Sequence, residues 1–313
     1  MVSPEHISAW RVAGRRRRRR RWGLGGGAAL LAGVLLVLLL GGGGLAARHS
    51  HAAMLSRRRH RVAAVHLRLP PVSLRVAALV ARGNTRIRQL AALGKPLFCG
   101  GHRGHAVAFT FDDGPGPYTH LALRKLAAAH ERATFFVVGQ STRYYPGYLR
   151  PELRVGALGD HTYSHADLAV LPRSEVVSQI KRARTLIARQ SGQPVDLFRP
   201  PYGALSPTVL SVVRRLGLLT VMWTQDSGDS LGANHGQIIR NVERALRPGA
   251  IILMHENRGQ TIRALTTLLP VLHRRHLRSV SLPELLATDP PSVAQIRRGA
   301  AACGRVRISA GSS

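Results

Sequence analysis

Acidic residues are scarce in this 313-residue sequence. There are 15 Asp and Glu against 46 Lys and Arg, a formal net charge of +31. The imbalance is uneven. Up to residue 111 a single acid, Glu5, stands among 20 basic residues, whereas beyond it 14 acids meet 26. The extreme charge therefore belongs mainly to the amino-terminal third. The remainder is still basic enough to favour anionic surroundings such as membrane surfaces, wall polymers or nucleic acid. Cysteine is scarcer, with only Cys99 and Cys303. No Cys-x-x-Cys exists, which excludes zinc-ribbon chemistry. If the domain is exported, a Cys99–Cys303 disulfide can join its two ends; two unrelated thiols are the alternative. No Gly-x-Gly-x-x-Gly follows a predicted strand, so a dinucleotide fold is unsupported. No nucleic-acid recognition motif is present.

Charge is also missing from one long stretch. Seven arginines, Arg15 to Arg21, precede an apolar, Gly-rich segment that starts at Trp22, ends near Ala47 and has Leu30 to Leu40 as its core. A membrane helix needs ~20 such residues. The positive-inside rule keeps the arginines cytoplasmic and sends the rest of the chain across, although Arg48, Arg57, Arg58, Arg59 and Arg61 weaken that bias. The reading is a basic cytoplasmic segment over 1–21 and a single-pass signal-anchor over 22–47. The alternative is a secreted protein, with cleavage after Gly44-Leu45-Ala46 or Leu45-Ala46-Ala47. Residues 48–104 read as a basic linker broken by Leu69-Pro70-Pro71 and by Gly83-Asn84.

From His105 the pattern alternates strand, loop and helix. The predicted strands are 106–111, 133–138, 155–159, 195–198, 218–224, 250–254 and 278–281. Clear helices lie between them. One spans 174–190, with Ser174 as a cap and Val176, Val177, Ile180, Ala183 and Ile187 on one face before Gly192. Another spans 206–216 and opens Ser206-Pro207, and a third spans 234–246. The alternation implies α/β architecture with a parallel sheet, open or closed, and seven strands suggest an incomplete barrel. The domain is set at 105–290, with a carboxyl-terminal tail over 291–313.

The chemistry lies in the residues at the ends of the strands. Thr110-Phe111-Asp112-Asp113-Gly114-Pro115 ends the first strand, and Gly-Pro forbids the strand from continuing. Side chains alternate along an extended chain, so the two acids are expected to point different ways, one toward a metal and one toward proton chemistry. Alone, this is an ordinary turn. After the third strand comes His161-Thr162-Tyr163-Ser164-His165, after the fourth Arg199-Pro200-Pro201-Tyr202-Gly203, after the fifth Asp226 and Asp229, and after the sixth His255. Parallel α/β barrels gather their active sites at the carboxyl ends of the strands. On a helical turn His161 and His165 face one way and can grip one metal. A first-strand carboxylate completes a two-His, one-carboxylate site suited to zinc, with cobalt, nickel or iron as alternatives. Arg199 is either solvated beside stiffening prolines or a rigid cation holding a carboxylate. Asp226 either caps a turn or orients His255 and raises its pKa.

These five segments, in this order, resemble the motifs of the polysaccharide deacetylases of the NodB-homology type, carbohydrate esterase family 4. The resemblance covers residues 105 to 285. It implies a distorted (β/α)7 barrel that removes acetyl groups from N-acetylated sugars. It makes Asp113, His161 and His165 the metal ligands and Asp112 the general base toward water. His255 becomes the acid that protonates the departing amine, Arg199 the residue that positions Asp112, and Asp226 the one that tunes His255. The Tyr202 backbone N–H would stabilise the oxyanion, and Leu253 would line the acetyl pocket. Two positions depart from the family pattern. Ser230 stands where a tryptophan usually follows the second acid of the fourth motif, and Asp160 stands where an asparagine usually precedes the first histidine. The first bears on the width of the groove and the second on metal affinity.

The expected protein is therefore a membrane-anchored, metal-dependent N-deacetylase of an envelope polysaccharide, peptidoglycan or chitin-like, with its catalytic domain outside the cytoplasm. The competing readings are an amide hydrolase of the same fold on a small non-sugar substrate, and a non-catalytic protein that binds anionic wall polymer.

Overall fold

The computed structural model describes residues 67–304. The expected cytoplasmic segment 1–21, the membrane span 22–47 and the linker up to residue 66 lie outside the described residues. Among the described residues no helix is long and apolar enough to cross a membrane.

Seven parallel strands form a curled half-barrel: β1 (Ala106–Gly114), β2 (Ala133–Val137), β3 (Gly156–Asp160), β4 (Leu197–Phe198), β5 (Leu219–Thr220), β6 (Gln225–Asp226) and β7 (Ile251–His255). They lie in the order β5-β4-β3-β2-β1-β7-β6. An eighth, β8 (Arg278–Ser279), pairs only with Ala106 and Val107 at the start of β1. β1 is the axis of the sheet. Its Ala-Val-Ala-Phe-Thr-Phe run is buried on both faces, as central parallel strands require. Phe109, Phe111, Phe135 and Phe136 are fully buried, each contributing on the order of 2–3 kcal/mol.

One expected strand is cut short. Of the 218–224 run only β5 is strand; β6 begins just after it at Gln225, and the two occupy opposite edges of the sheet. Val221 to Thr224 carries the chain across the gap between those edges. Leu97 fills it: its N–H donates to Thr220 O at 2.8 Å and its carbonyl accepts from Met222 N at 2.7 Å. The sheet is thus an α/β half-barrel whose opening is bridged by single residues rather than by a further strand.

The linker and tail boundaries need correction. Residues 74–92 form a continuous helix, α1 (Leu74–Ala92), with Ile87 and Leu90 buried. Gly83 does not break it. A Cβ there would come within 1.9 Å of Pro283 O, so the glycine permits close packing against α9 (Leu282–Thr288). At the other end, α10 (Val293–Arg298) and the turn after it pack on the same side, and Cys303 is bonded to Cys99. The folded body extends at least from α1 to Cys303.

The remaining helices follow the strands. They are α2 (Thr119–Ala128), α3 (Ser141–Tyr144), α4 (Leu149–Val155), α5 (Arg173–Ser191), α6 (Pro207–Arg215), α7 (His235–Glu243) and α8 (Gly259–Arg274). Ser206 caps α6 through Val209 N, as its sequence predicts. Ser174 does not cap α5; Pro172 holds that position and Ser174 falls in the first turn. Gly192 ends α5 in the left-handed conformation, φ 78°, which glycine tolerates without a Cβ penalty.

Candidate active site

Asp112 and Asp113 lie inside β1 rather than after it. Pairing with β2 slips between Asp112 and Gly114, and Asp113 takes a positive φ of 68°. This bulge overrides the alternation of an extended chain. Both carboxylates now face one imidazole: Asp112 Oδ2 is 3.6 Å and Asp113 Oδ1 3.7 Å from His161 Nε2.

The two histidines do not sit on a helical turn. His161 follows β3 directly, its N–H bonded to Val137 O, and the next residues form an irregular loop. Thr162 and His165 have φ of 67° and 58°. The loop returns His165 so that its Nε2 stands 3.1 Å from Asp113 Oδ1. One donor atom each from Asp113, His161 and His165 lies within 4.8 Å of the others. Two nitrogen or oxygen ligands of a tetrahedral zinc are about 3.3 Å apart, given bonds of ~2.0–2.1 Å. The observed separations of 3.1 and 3.7 Å bracket that value. Asp113 Oδ1 is buried and lacks a well-aligned hydrogen bond despite the nearby imidazole, which suits an ion between them.

The protonation states agree with ligation. His161 Nδ1 lies 2.8 Å from the Arg199 carbonyl, which can only accept, so Nδ1 carries the proton and Nε2 presents its lone pair. Burial, helped by His165 and opposed by Asp112 and Asp113, pushes the His161 pKa down to about 4. Burial works to raise Asp113, but His165, His255 and His161 outweigh it and hold its carboxyl below the usual range.

Arg199 is the largest fully buried side chain among the described residues. Its NH1 donates to Asp112 Oδ1 and to Thr110 Oγ1, both at 2.8 Å. Nε and NH2 donate to Val221 O at 3.2 Å and Met222 O at 3.0 Å, the carbonyls that span the gap in the sheet. Its guanidinium also lies 4.1 Å over the Phe136 ring. The buried cation therefore neutralises Asp112 and satisfies backbone acceptors that no strand reaches. Of the two readings the sequence left open, the rigid cation is the one observed.

His255 is held by Asp229, not by the expected Asp226. His255 Nδ1 is 2.7 Å from Asp229 Oδ1, and its backbone N donates to Oδ2 at 2.7 Å. Thr261 Oγ1 donates to Oδ2 at 2.5 Å and Ser230 N to Oδ1 at 2.7 Å. Burial works to lower the His255 pKa, but the charge and hydrogen bond of Asp229, with Asp113 and Asp112, push it up to about 10. Asp226 instead accepts from Gly228 N at 2.7 Å. Its pKa is pushed up to about 6, by burial first and the charge of Asp229 second, the Gly228 bond opposing. Asp226 caps a turn near the imidazole without touching it.

Tyr202 has a positive φ of 61° and places its hydroxyl 3.1 Å from His165 Nδ1. Leu253 is buried in β7 within a cluster that includes Phe136, Met222 and Trp223. Four residues escaped the sequence reading: Thr110, which bonds Arg199; Thr261; Trp223, whose ring lies under Gly203; and Asn257, whose Nδ2 is 3.4 Å from Asp113 Oδ2. Thr261 and Asn257 follow His255 closely in sequence, and that proximity was the available signal.

The fold and site define a class: a parallel α/β half-barrel with an Asp-His-His cluster able to hold a metal ion, a carboxylate clamped by a buried arginine and a histidine paired with a buried aspartate, an arrangement suited to hydrolysis. Comparison with known proteins narrows it. The family described as polysaccharide deacetylase matches residues 100–221. A peptidoglycan-N-acetylglucosamine deacetylase of Bacillus cereus is 32% identical over 61% of this chain and 72% of its own length. A chitooligosaccharide deacetylase of Azorhizobium caulinodans is 33% identical over 57% of this chain and 93% of its own. A solved family 4 carbohydrate esterase pseudoenzyme of Bacillus anthracis aligns over 61% of this chain and 68% of its own, with 26% identity and a TM-score of 0.58. This chain belongs to the polysaccharide deacetylase family, carbohydrate esterase family 4, a family of hydrolases.

Proposed function

We propose that this protein is a membrane-anchored N-deacetylase that hydrolyses the acetamido groups of an envelope polysaccharide. The observation that carries the reading is the position of Asp112. Arg199 holds its Oδ1, while Oδ2 is turned toward the cluster of Asp113, His161 and His165. A carboxylate so placed is in position to accept a proton from a water attacking the acetamide carbonyl. Asp113, His161 and His165 would hold one divalent cation, zinc foremost and cobalt, nickel or iron as alternatives, which would supply Lewis acidity at the carbonyl and acidify the attacking water. The backbone N–H of Tyr202 would donate to the oxyanion. His255, kept protonated by Asp229, would give its proton to the leaving amine. Leu253 and its apolar neighbours would receive the acetyl methyl group. The names of the relatives support a sugar amide as substrate, peptidoglycan or chitin-like. The apolar segment 22–47 behind seven arginines supports anchoring, with the catalytic domain outside the cytoplasm.

The test is acetate release from N-acetylglucosamine oligomers and from peptidoglycan, with and without chelator. Release that chelation abolishes and added metal restores is the expected result. Metal bound without release from either polymer would overturn the polysaccharide reading in favour of a small amide substrate, for which Ser230 leaves room.

A further inference from the structure

The fold withdraws its acids from the surface and leaves its bases there. Residues 67–304 contain 14 carboxylates, and not one is exposed: nine are buried and five half-buried. The same residues contain 31 Lys and Arg, of which 25 are exposed. Of those 25, only Arg88 and Arg278 reach a carboxylate, Asp196 and Glu131, among the described residues. The burial of acids has local causes. Several converge on the catalytic end. Glu131 accepts from Arg278 Nε and Ser279 N, and Asp289 accepts from Arg103 N and Gly104 N. The outcome is a surface of nearly unrelieved positive charge, which repels itself until an anion covers it.

The distribution and chemistry of these cations constrain the partner. They are not gathered on one face. Arg82 on α1, Arg124 on α2, Arg189 on α5, Arg240 on α7, Arg263 on α8 and Arg297 on α10 are all exposed, and these helices stand around the barrel. A planar membrane would meet only one side, whereas a polymer network meets every side. Of the 31 bases, 28 are arginine, whose planar fork matches carboxylate and phosphate geometry. Each turnover would replace a neutral acetamide by an ammonium and release acetate. The strand becomes less negative as it is processed, so its hold on a cationic protein loosens with conversion.

We infer that the substrate is an acidic glycan, one carrying carboxylate or phosphate groups along the strand that bears the acetamido sugar, and that the arginine-studded outer surface binds it. This rests on the deacetylase reading above. The experiment uses the full chain with Asp112→Asn, so that binding is read without turnover, with soluble peptidoglycan strands as the probe. The strands are offered with their peptide carboxylates free or amidated, beside chitohexaose, duplex DNA and phosphatidylglycerol vesicles. Free carboxylates are expected to bind about tenfold more tightly than amidated strands, and rising salt is expected to erase the difference. Combining R82Q, R124Q, R189Q, R240Q, R263Q and R297Q is expected to cost about tenfold on acidic strands only. Equal affinity for free and amidated strands, an unchanged sixfold variant, or tighter binding of DNA or vesicles than of acidic strands overturns the inference. Acetate release from the free-carboxylate strands by the sixfold variant and by its parent, each with Asp112 intact, is the separate check. Its absence in variant and parent alike removes the deacetylase reading without altering the binding result.

Discussion

Asp112 and Asp113 are consecutive in a β-strand, yet both carboxylates point at the same nitrogen, His161 Nε2, from 3.6 and 3.7 Å. The positive φ of Asp113 makes this possible by turning its side chain back to the face that Asp112 occupies. The two acids still differ. Asp112 is anchored by the buried Arg199, and Asp113 lies against the second histidine.

That difference predicts opposite phenotypes for one chemical change. Asp112→Asn should lower kcat by about 10²–10⁴-fold while metal stays bound. Asp113→Asn should lose metal affinity by more than the roughly 10–100-fold seen when only a supporting hydrogen bond is removed. Turnover assays paired with metal content of the dialysed protein check both. Loss of metal in the Asp112 variant would contradict the division of roles.

Asp229 rather than Asp226 governs His255. The folded His255 pKa, about 10, exceeds its ordinary value of 6.5, so its proton stabilises the fold fully below pH 6.5 and that stability is lost as pH rises through about 10. Asp229→Asn should move the basic limb of the kcat/KM profile to lower pH and reduce neutral-pH activity by about 10²-fold or more. Asp226→Asn should leave that limb nearly in place. A profile that shifts with Asp226 and not with Asp229 would restore the assignment drawn from sequence.

Tyr202 touches the cluster of Asp113, His161 and His165 through His165, its hydroxyl 3.1 Å from Nδ1 and the rings meeting edge to face at 4.7 Å. Tyr202→Phe keeps the ring and the backbone N–H but removes the oxygen that fixes the imidazole. Metal affinity, measured by chelator competition, should fall about 10-fold, the lower end of the range for such supporting groups. Unchanged affinity would mean that the loop alone holds His165.

Gly83 joins α1 to the body. A Cβ at 1.9 Å from Pro283 O cannot be accommodated by moving a side chain, because the obstacle is backbone. Gly83→Ala should therefore destabilise the protein by about 1–3 kcal/mol, against the ~1 kcal/mol gain that alanine brings to an exposed helix. Thermal unfolding gives the sign directly, and stabilisation would mean that α1 is not seated on α9 as described.

The disposition of these residues separates what is local from what is not. Sequence alone determined the α/β alternation and the order of the motifs. It also determined the residues able to ligate metal and the caps at Ser206 and Gly192, because each depends on neighbours within a few positions. It misplaced whatever depends on a left-handed backbone angle, since Asp113, Thr162 and His165 are not residue types that announce one. It read Gly83 as a breaker because helix propensity is local and the Pro283 carbonyl is about 200 residues away in the chain. Only the tertiary structure decided that Asp229 rather than Asp226 reaches His255, that Arg199 bridges a gap in the sheet as well as holding Asp112, and that no described acid is fully exposed. Those outcomes rest on distances between elements far apart in the chain, which periodicity and spacing do not encode.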